Sequence, residues 1–306
     1  MKIVDIHAHV YPDIHGVHDG QFYASMKYGQ VRLGNTPVQF LPPSFENSSS
    51  PVEVHRQYMK WLGIDHAVLM ANTMYGIHND YLDDCVKKYP GIYTGVAYAD
   101  PFRGEDSVRE LQYLHEHTHL FGFKVEVNSC FACHWDIHMT DPLIAPVYEY
   151  LNQAGQPVFT HPCRPYDIED LMALADRYKN IKFIICHMGA ETTFGPSAKK
   201  NMVDFMITET AKRDNVFLDT STFPYYYDAS EAYPFTQSVK IIENAWKKVG
   251  TEKMMWSSDY PGMLVMATYK QLIDFVAVNC RNIPEDAREK IMGENAYNLF
   301  FNKEDL

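Results

Sequence analysis

Apolar and polar positions along the chain fall into a repeating pattern. From Pro51 onward, segments with helical spacing alternate with short apolar runs of the kind that forms strands covered on both faces. Pro51 opens a helix that stops at Gly63, and residues 67–71 then read as a buried strand. The unit recurs as helix 81–88 with strand 92–98, helix 107–117 with strand 121–127, and helix 143–153 with strand 157–161. It continues as helix 168–178 with strand 181–187, helix 198–212 with strand 216–221, and helix 235–248 with strand 254–259. Helical segments 265–278 and 285–292 close the series. With a first strand over 2–9 there are eight strands separated by helices, which predicts an α/β chain folded as a (β/α)8 TIM barrel, one domain over residues 1–306. The rival is an open, doubly wound sheet. That fold usually carries a Gly-rich phosphate turn after its first strand, and here the place holds His9-Val10-Tyr11-Pro12.

Residues 11–50 lack the pattern. They hold Gly16, Gly20, Gly29, Gly34 and the run Leu41-Pro42-Pro43-Ser44, and they predict an irregular excursion, either a lid or pocket wall or a plain surface loop. In the first strand, Asp5, His7 and His9 alternate with Val4, Ile6 and Ala8. Strict alternation places the three polar side chains on one face.

Composition narrows the partners. A chain of 306 residues that is 46% hydrophobic buries a substantial core, and a formal net charge of −12 gives no general attraction to nucleic acid or to an anionic membrane. The start of the chain lacks a long apolar core, and no run of about 18 apolar residues occurs, so a cytoplasmic protein with a small-molecule substrate is expected. Six cysteines are too sparse for a disulfide framework and read as free thiols.

The candidate chemistry lies at strand ends. The first predicted strand ends in His7 and His9, the fifth in His161, the sixth in His187 and the eighth in Asp259. In a barrel these positions share one mouth. Imidazole and carboxylate are the ligands expected for zinc, or for manganese or another divalent ion, with an open position left for water. Other residues stand near the same mouth. Alternation turns Lys124 and Glu126 toward the barrel axis, as a partner for substrate charge or as a structural ion pair. Arg164, on the loop after the fifth strand, either binds a substrate carboxylate or is a surface arginine, and Tyr225, Tyr226 and Tyr227 either line the pocket or pack. Cys130-Phe131-Ala132-Cys133-His134, with His138, superficially matches covalent haem attachment or a small zinc site; a loop with free thiols and a pocket-facing His134 is the plainer reading. His115, His117 and His119 read as a solvated helix end away from the mouth.

Asp5-Ile6-His7-Ala8-His9, Thr160-His161-Pro162, Cys186-His187-Met188-Gly189, Ser257-Ser258-Asp259-Tyr260-Pro261 and the closing stretch Gly293–Phe300 together resemble the amidohydrolase superfamily. The branch they are most similar to is the amidohydrolase-related one that includes aminocarboxymuconate-semialdehyde decarboxylase. The resemblance spans nearly the whole chain. It implies that His7, His9, His161 and Asp259 bind one divalent metal, that His187 acts beside it as a general acid/base or substrate polariser, and that the protein is a homo-oligomer, a dimer. Many members carry a carboxylated lysine on the strand of Lys124 that bridges two metals; the branch resembled mostly keeps one. The implied activity is hydrolysis of an amide, lactone or related C–N or C–O bond. Non-oxidative decarboxylation of a small unsaturated or aromatic acid is the alternative, and a catalytically inactive barrel that binds a ligand is the alternative of another class.

Overall fold

Short β-branched and aliphatic runs set the strands. The computed structural model describes residues 1–18, 20–125, 137–162, 164, 166–190, 196–221 and 223–302. Its strands in chain order are β1 (Val4–Ala8), β2 (Val17–His18), β3 (Gln21–Ser25), β4 (Gln30–Leu33), β5 (Thr36–Gln39), β6 (His66–Met70) and β7 (Tyr93–Val96). They continue as β8 (Leu120–Phe121), β9 (Phe123–Val125), β10 (Val158–Thr160), β11 (Phe183–Ile185), β12 (Val216–Asp219) and β13 (Met254–Met255). Helices alternate with the strands from Val52–Leu62 through Asn79–Lys88, Glu105–His117, Ala145–Ala154, Asp167–Arg177, Pro196–Ala211 and Thr236–Val249.

Two parallel sheets carry the fold, one ordered β1-β6-β7-β8 and the other β13-β12-β11-β10-β9. Backbone bonds join them at both edges. At one seam Lys124 N donates to Ala97 O (3.0 Å); at the other, Asp259 N donates to His7 O (2.8 Å) and His9 N to Tyr260 O (2.7 Å). Val4, Ile6, Met70, Phe159, Ile184 and Met255 pack in one apolar cluster, and Phe300, from the helix Asn295–Phe300, joins it. Strands from both sheets thus share an inner core, while a larger cluster lies between strands and helices.

Gly122 separates β8 from β9. It sits at φ +58°, and a Cβ there would lie 2.8 Å from Pro157 O. Left-handed backbone costs an L-residue roughly 1–2 kcal/mol, and the contact is with rigid backbone. Gly122→Ala is therefore expected to destabilise the protein by about 2 kcal/mol or more, read as a lowered urea midpoint at unchanged m-value.

The excursion departs from its expectation. Instead of an irregular loop, it forms an antiparallel sheet ordered β2-β3-β4-β5. The turn residues do bend the chain, but between short strands. Aromatic rings tie this sheet to the strand ends: Tyr23 lies against Phe40 (6.4 Å between centroids), Phe40 against Tyr75 (5.8 Å), and Tyr75 against both Tyr11 (4.4 Å) and His9 (4.9 Å).

Candidate metal centre

The strand that opens the chain is not regularly alternating. Its register against β6 runs Val4 to His66, Asp5 to Ala67 and then Ala8 to Leu69, so three steps on β1 match two on β6. This bulge overturns the expectation that Asp5, His7 and His9 share one face. Ile6 stays in the inner cluster, His7 turns inward beside the His187 ring at 4.9 Å, and Asp5 goes to the outer layer. There the Asp5 carboxylate accepts from Tyr269 Oη (2.5 Å), Ser258 N (3.0 Å), His7 N (3.1 Å) and Ser258 Oγ. Bulges beside functional sites commonly re-aim a side chain in this way.

His7 and His9 are each held through Nδ1. His7 Nδ1 donates to Asp219 Oδ2 at 2.7 Å and His9 Nδ1 to Met70 O at 2.8 Å. A carbonyl or an ionised carboxylate only accepts, so each Nδ1 is assigned the proton and each Nε2 keeps its lone pair. Both Nε2 atoms face Asp259 Oδ1, at 3.7 Å for His7 and 3.3 Å for His9. Among the described residues, His7, His9 and Asp259 form a group whose ligand atoms all lie within 4.8 Å of one another. The backbone bends to bring them there: Asp259 and His187 sit at φ +57° and +55°, where strain is characteristic of functional positions.

The electrostatics suit a cation. Burial drives His7 down to about 4, with Lys124 acting in the same direction. Burial, then His161 and His7, hold His187 well below the ordinary imidazole range. Burial works against ionisation of Asp219, but His7 and its hydrogen bond bring it to about 2. Burial works against ionisation of Asp259 too, and the His9, His7 and His187 imidazoles around it hold it far below the usual carboxylate range. Neutral rings with lone pairs aimed at an ionised carboxylate are the donor set of a divalent site with open positions, and these residues fit such an ion.

The other expected residues divide. His161 meets the His187 ring edge-on at 4.4 Å, and His187 Nδ1 donates to Ser221 O at 3.0 Å with Ser221 Oγ at 2.9 Å. Lys124 is fully buried, and its Nζ donates to Cys186 Sγ at 3.3 Å. Arg164 is buried, with Nε bonded to Asp167 Oδ1 at 2.8 Å and Nη1 to Ile137 O at 2.7 Å. Tyr225 lies on the short helix Phe223–Tyr227 and is 41% exposed. His138 bonds Asp170 at 2.9 Å. His115, expected in solvent, is half-buried between Tyr150 Oη and Gly122 O, 2.8 Å from each. Glu126, Cys130, Cys133 and His134 lie outside the described residues.

Asp219 escaped the sequence reading, although it too is a carboxylate at a strand end. It accepts from His7 Nδ1, Ser221 N (2.6 Å) and Ser257 Oγ. Such a carboxylate orients a ligating imidazole and raises its basicity. Asp219→Asn is expected to weaken divalent metal binding about 10–100-fold, measured by competition with a chromophoric chelator.

No curated protein matches the chain. Solved structures are similar throughout. A protein described as a probable 2-pyrone-4,6-dicarboxylic acid hydrolase from Acinetobacter baumannii, with citric acid bound, is 17% identical at TM-score 0.69, covering 98% of this chain and 99% of that one. An amidohydrolase from Burkholderia multivorans with bound zinc is 14% identical at TM-score 0.71, covering 97% and 98%. A 5-carboxyvanillate decarboxylase from Sphingomonas paucimobilis is 18% identical at TM-score 0.58, covering 82% and 84%. At these identities the likeness shows a shared fold. A family model described as amidohydrolase matches residues 4–301. The chain belongs to the amidohydrolase family.

Proposed function

We propose that the chain is a metal-dependent hydrolase on a closed (β/α)8 barrel, with His7, His9, His161 and Asp259 holding one divalent ion, zinc being the ion this donor set suits best. The observation that carries this reading is the convergence of His7 Nε2 and His9 Nε2 on Asp259 Oδ1 at 3.7 and 3.3 Å, with both Nδ1 atoms already engaged. Closure of the barrel is supported by the backbone bonds at both seams and by the shared inner core.

When bound, such an ion supplies a Lewis acid and lowers the pKa of its water to roughly 7. Asp259 takes the proton of the attacking water and returns it to the leaving group. His187 donates through Nδ1 to Ser221 O, which leaves Nε2 as an acceptor. Of the two roles the sequence left open for it, this favours proton transfer over oxyanion donation. Lys124 supplies a fixed positive charge at the pocket floor, suited to a substrate carboxylate. Tyr225 lines the mouth, and the excursion walls it through Phe40 and Tyr75. Arg164, bound to Asp167 and Ile137 O, fixes the loop after β10. We further propose a homodimer, to be checked by light scattering.

Similarity to a decarboxylase structure supports a second reading, in which the same groups deliver a proton to the carbon that loses carbon dioxide. A screen of lactones, amides and unsaturated or aromatic acids tests both on protein stripped of metal and reloaded with Zn2+ or Mn2+. Metal-dependent acid release is expected. Carbon dioxide release would favour the second reading, and no turnover of either class would favour a ligand-binding barrel.

A further inference from the structure

A second group of metal-ligating side chains stands apart from this site. Asp13, His15 and His78 each bring a ligand atom within 4.8 Å of the others. His15 Nδ1 meets Asp13 Oδ1 at 3.3 Å, and the His15 ring stands edge-on to His78 with centroids 4.7 Å apart. His78 is buried, whereas the Asp13 and His15 side chains are 57% and 53% exposed. One ligand is anchored and two reach solvent.

The frame beneath them is tight. His15 N donates to Tyr75 O at 3.0 Å and Val17 N to Thr73 O at 2.8 Å. Between them, a Cβ on Gly16 would lie 1.9 Å from Thr73 O, so glycine is what lets the loop after β1 press on the loop after β6. His15 Nε2 occupies the space that a side chain at position 76 would need, 2.8 Å from an ideal Cβ on Gly76.

Hydrogen bonds alone satisfy this group poorly. His78 Nε2 faces Tyr75 O at 3.2 Å, and the ring also meets the Asp13 backbone. A neutral imidazole has one N–H for these two contacts. A divalent cation uses the remaining lone pair, and the Asp13 carboxylate balances its charge.

We infer that Asp13, His15 and His78 form a second divalent-metal site of the zinc class at the rim, whose occupation staples the loop after β1 to the loop after β6. Tyr75 belongs to that second loop, and its ring lies 4.9 Å from His9. The staple therefore braces a wall of the first site.

Titration of the untagged full chain with Zn2+ alone, by calorimetry, tests this. Wild type is expected to bind two equivalents. His15→Ala and Asp13→Asn, both at exposed side chains, are each expected to weaken one binding event at least tenfold and leave the other unchanged, while His7→Ala does the converse. Saturation of wild type at one equivalent that His7→Ala removes, or two equivalents retained at full affinity in His15→Ala, would overturn the rim site. A single equivalent lost in His15→Ala but kept in His7→Ala would uphold it and count against the proposed catalytic centre instead.

Discussion

Replacement of His187 by alanine is expected to leave the divalent ion bound and to slow turnover about 10²–10⁴-fold, the range of a positioned proton-transfer group. His187 is buried next to the proposed metal ligands without joining them: its Nδ1 is spent on Ser221, and its ring stacks on His7 at 4.9 Å and meets His161 at 4.4 Å. The loss should therefore appear in kcat while metal content by elemental analysis stays constant. Added imidazole, small enough to enter the vacated space, should restore part of the rate. A variant that turns over at the wild-type rate, or that loses its metal, would remove His187 from the role assigned here.

Acidification from pH 7 to 4 is expected to destabilise the wild-type protein more than a His55→Gln variant. His55 is buried between Tyr93 Oη (3.2 Å) and Tyr269 Oη (3.1 Å), and burial pushes it from 6.5 down to about 3. Between those values the unfolded chain binds a proton that the folded chain refuses. Stability from His55 is whole above pH 6.5 and falls as pH drops through that window, by about 1.4 kcal/mol per unit and roughly 5 kcal/mol in all. Asp5, joined to the same Tyr269, has the opposite sign. Burial raises it from 3.8 to about 6, so its contribution is whole below pH 3.8 and is lost as pH rises through 6. In wild type the two slopes offset between about pH 6 and 4; in His55→Gln only the Asp5 slope remains. Urea midpoints across this range measure the difference, and equal slopes in both proteins would mean that folded His55 accepts the proton.

The alternation of helix and strand was legible because apolar period is a local property: every strand predicted from 67–71 to 254–259 overlaps an observed strand. The excursion misled because Gly and Pro mark turns without saying whether short strands join them. His7, His9 and Asp259 were legible as strand ends, and the distances bear out their proximity. The direction of Asp5 was not, since a bulge depends on the partner strand and leaves the period of its own sequence intact. Arg164 shows the same limit from the other side. Its position on a loop after β10 suggested a free arm, but Asp167 three residues on claims the guanidinium, as local side-chain pairing often does.

The seam between β1 and the segment 257–260 has a consequence for the order of folding. Asp5 accepts from Ser258 across a sequence separation of 253 residues, and the imidazoles of residues 7 and 9 meet their carboxylate partner over a similar span. Closing so long a loop is entropically costly and comes late, after local helix–strand pairs have formed. During synthesis the histidines of the site must wait for a carboxylate that is made long after them. Binding of the proposed ion would accordingly report that these two distant segments have met.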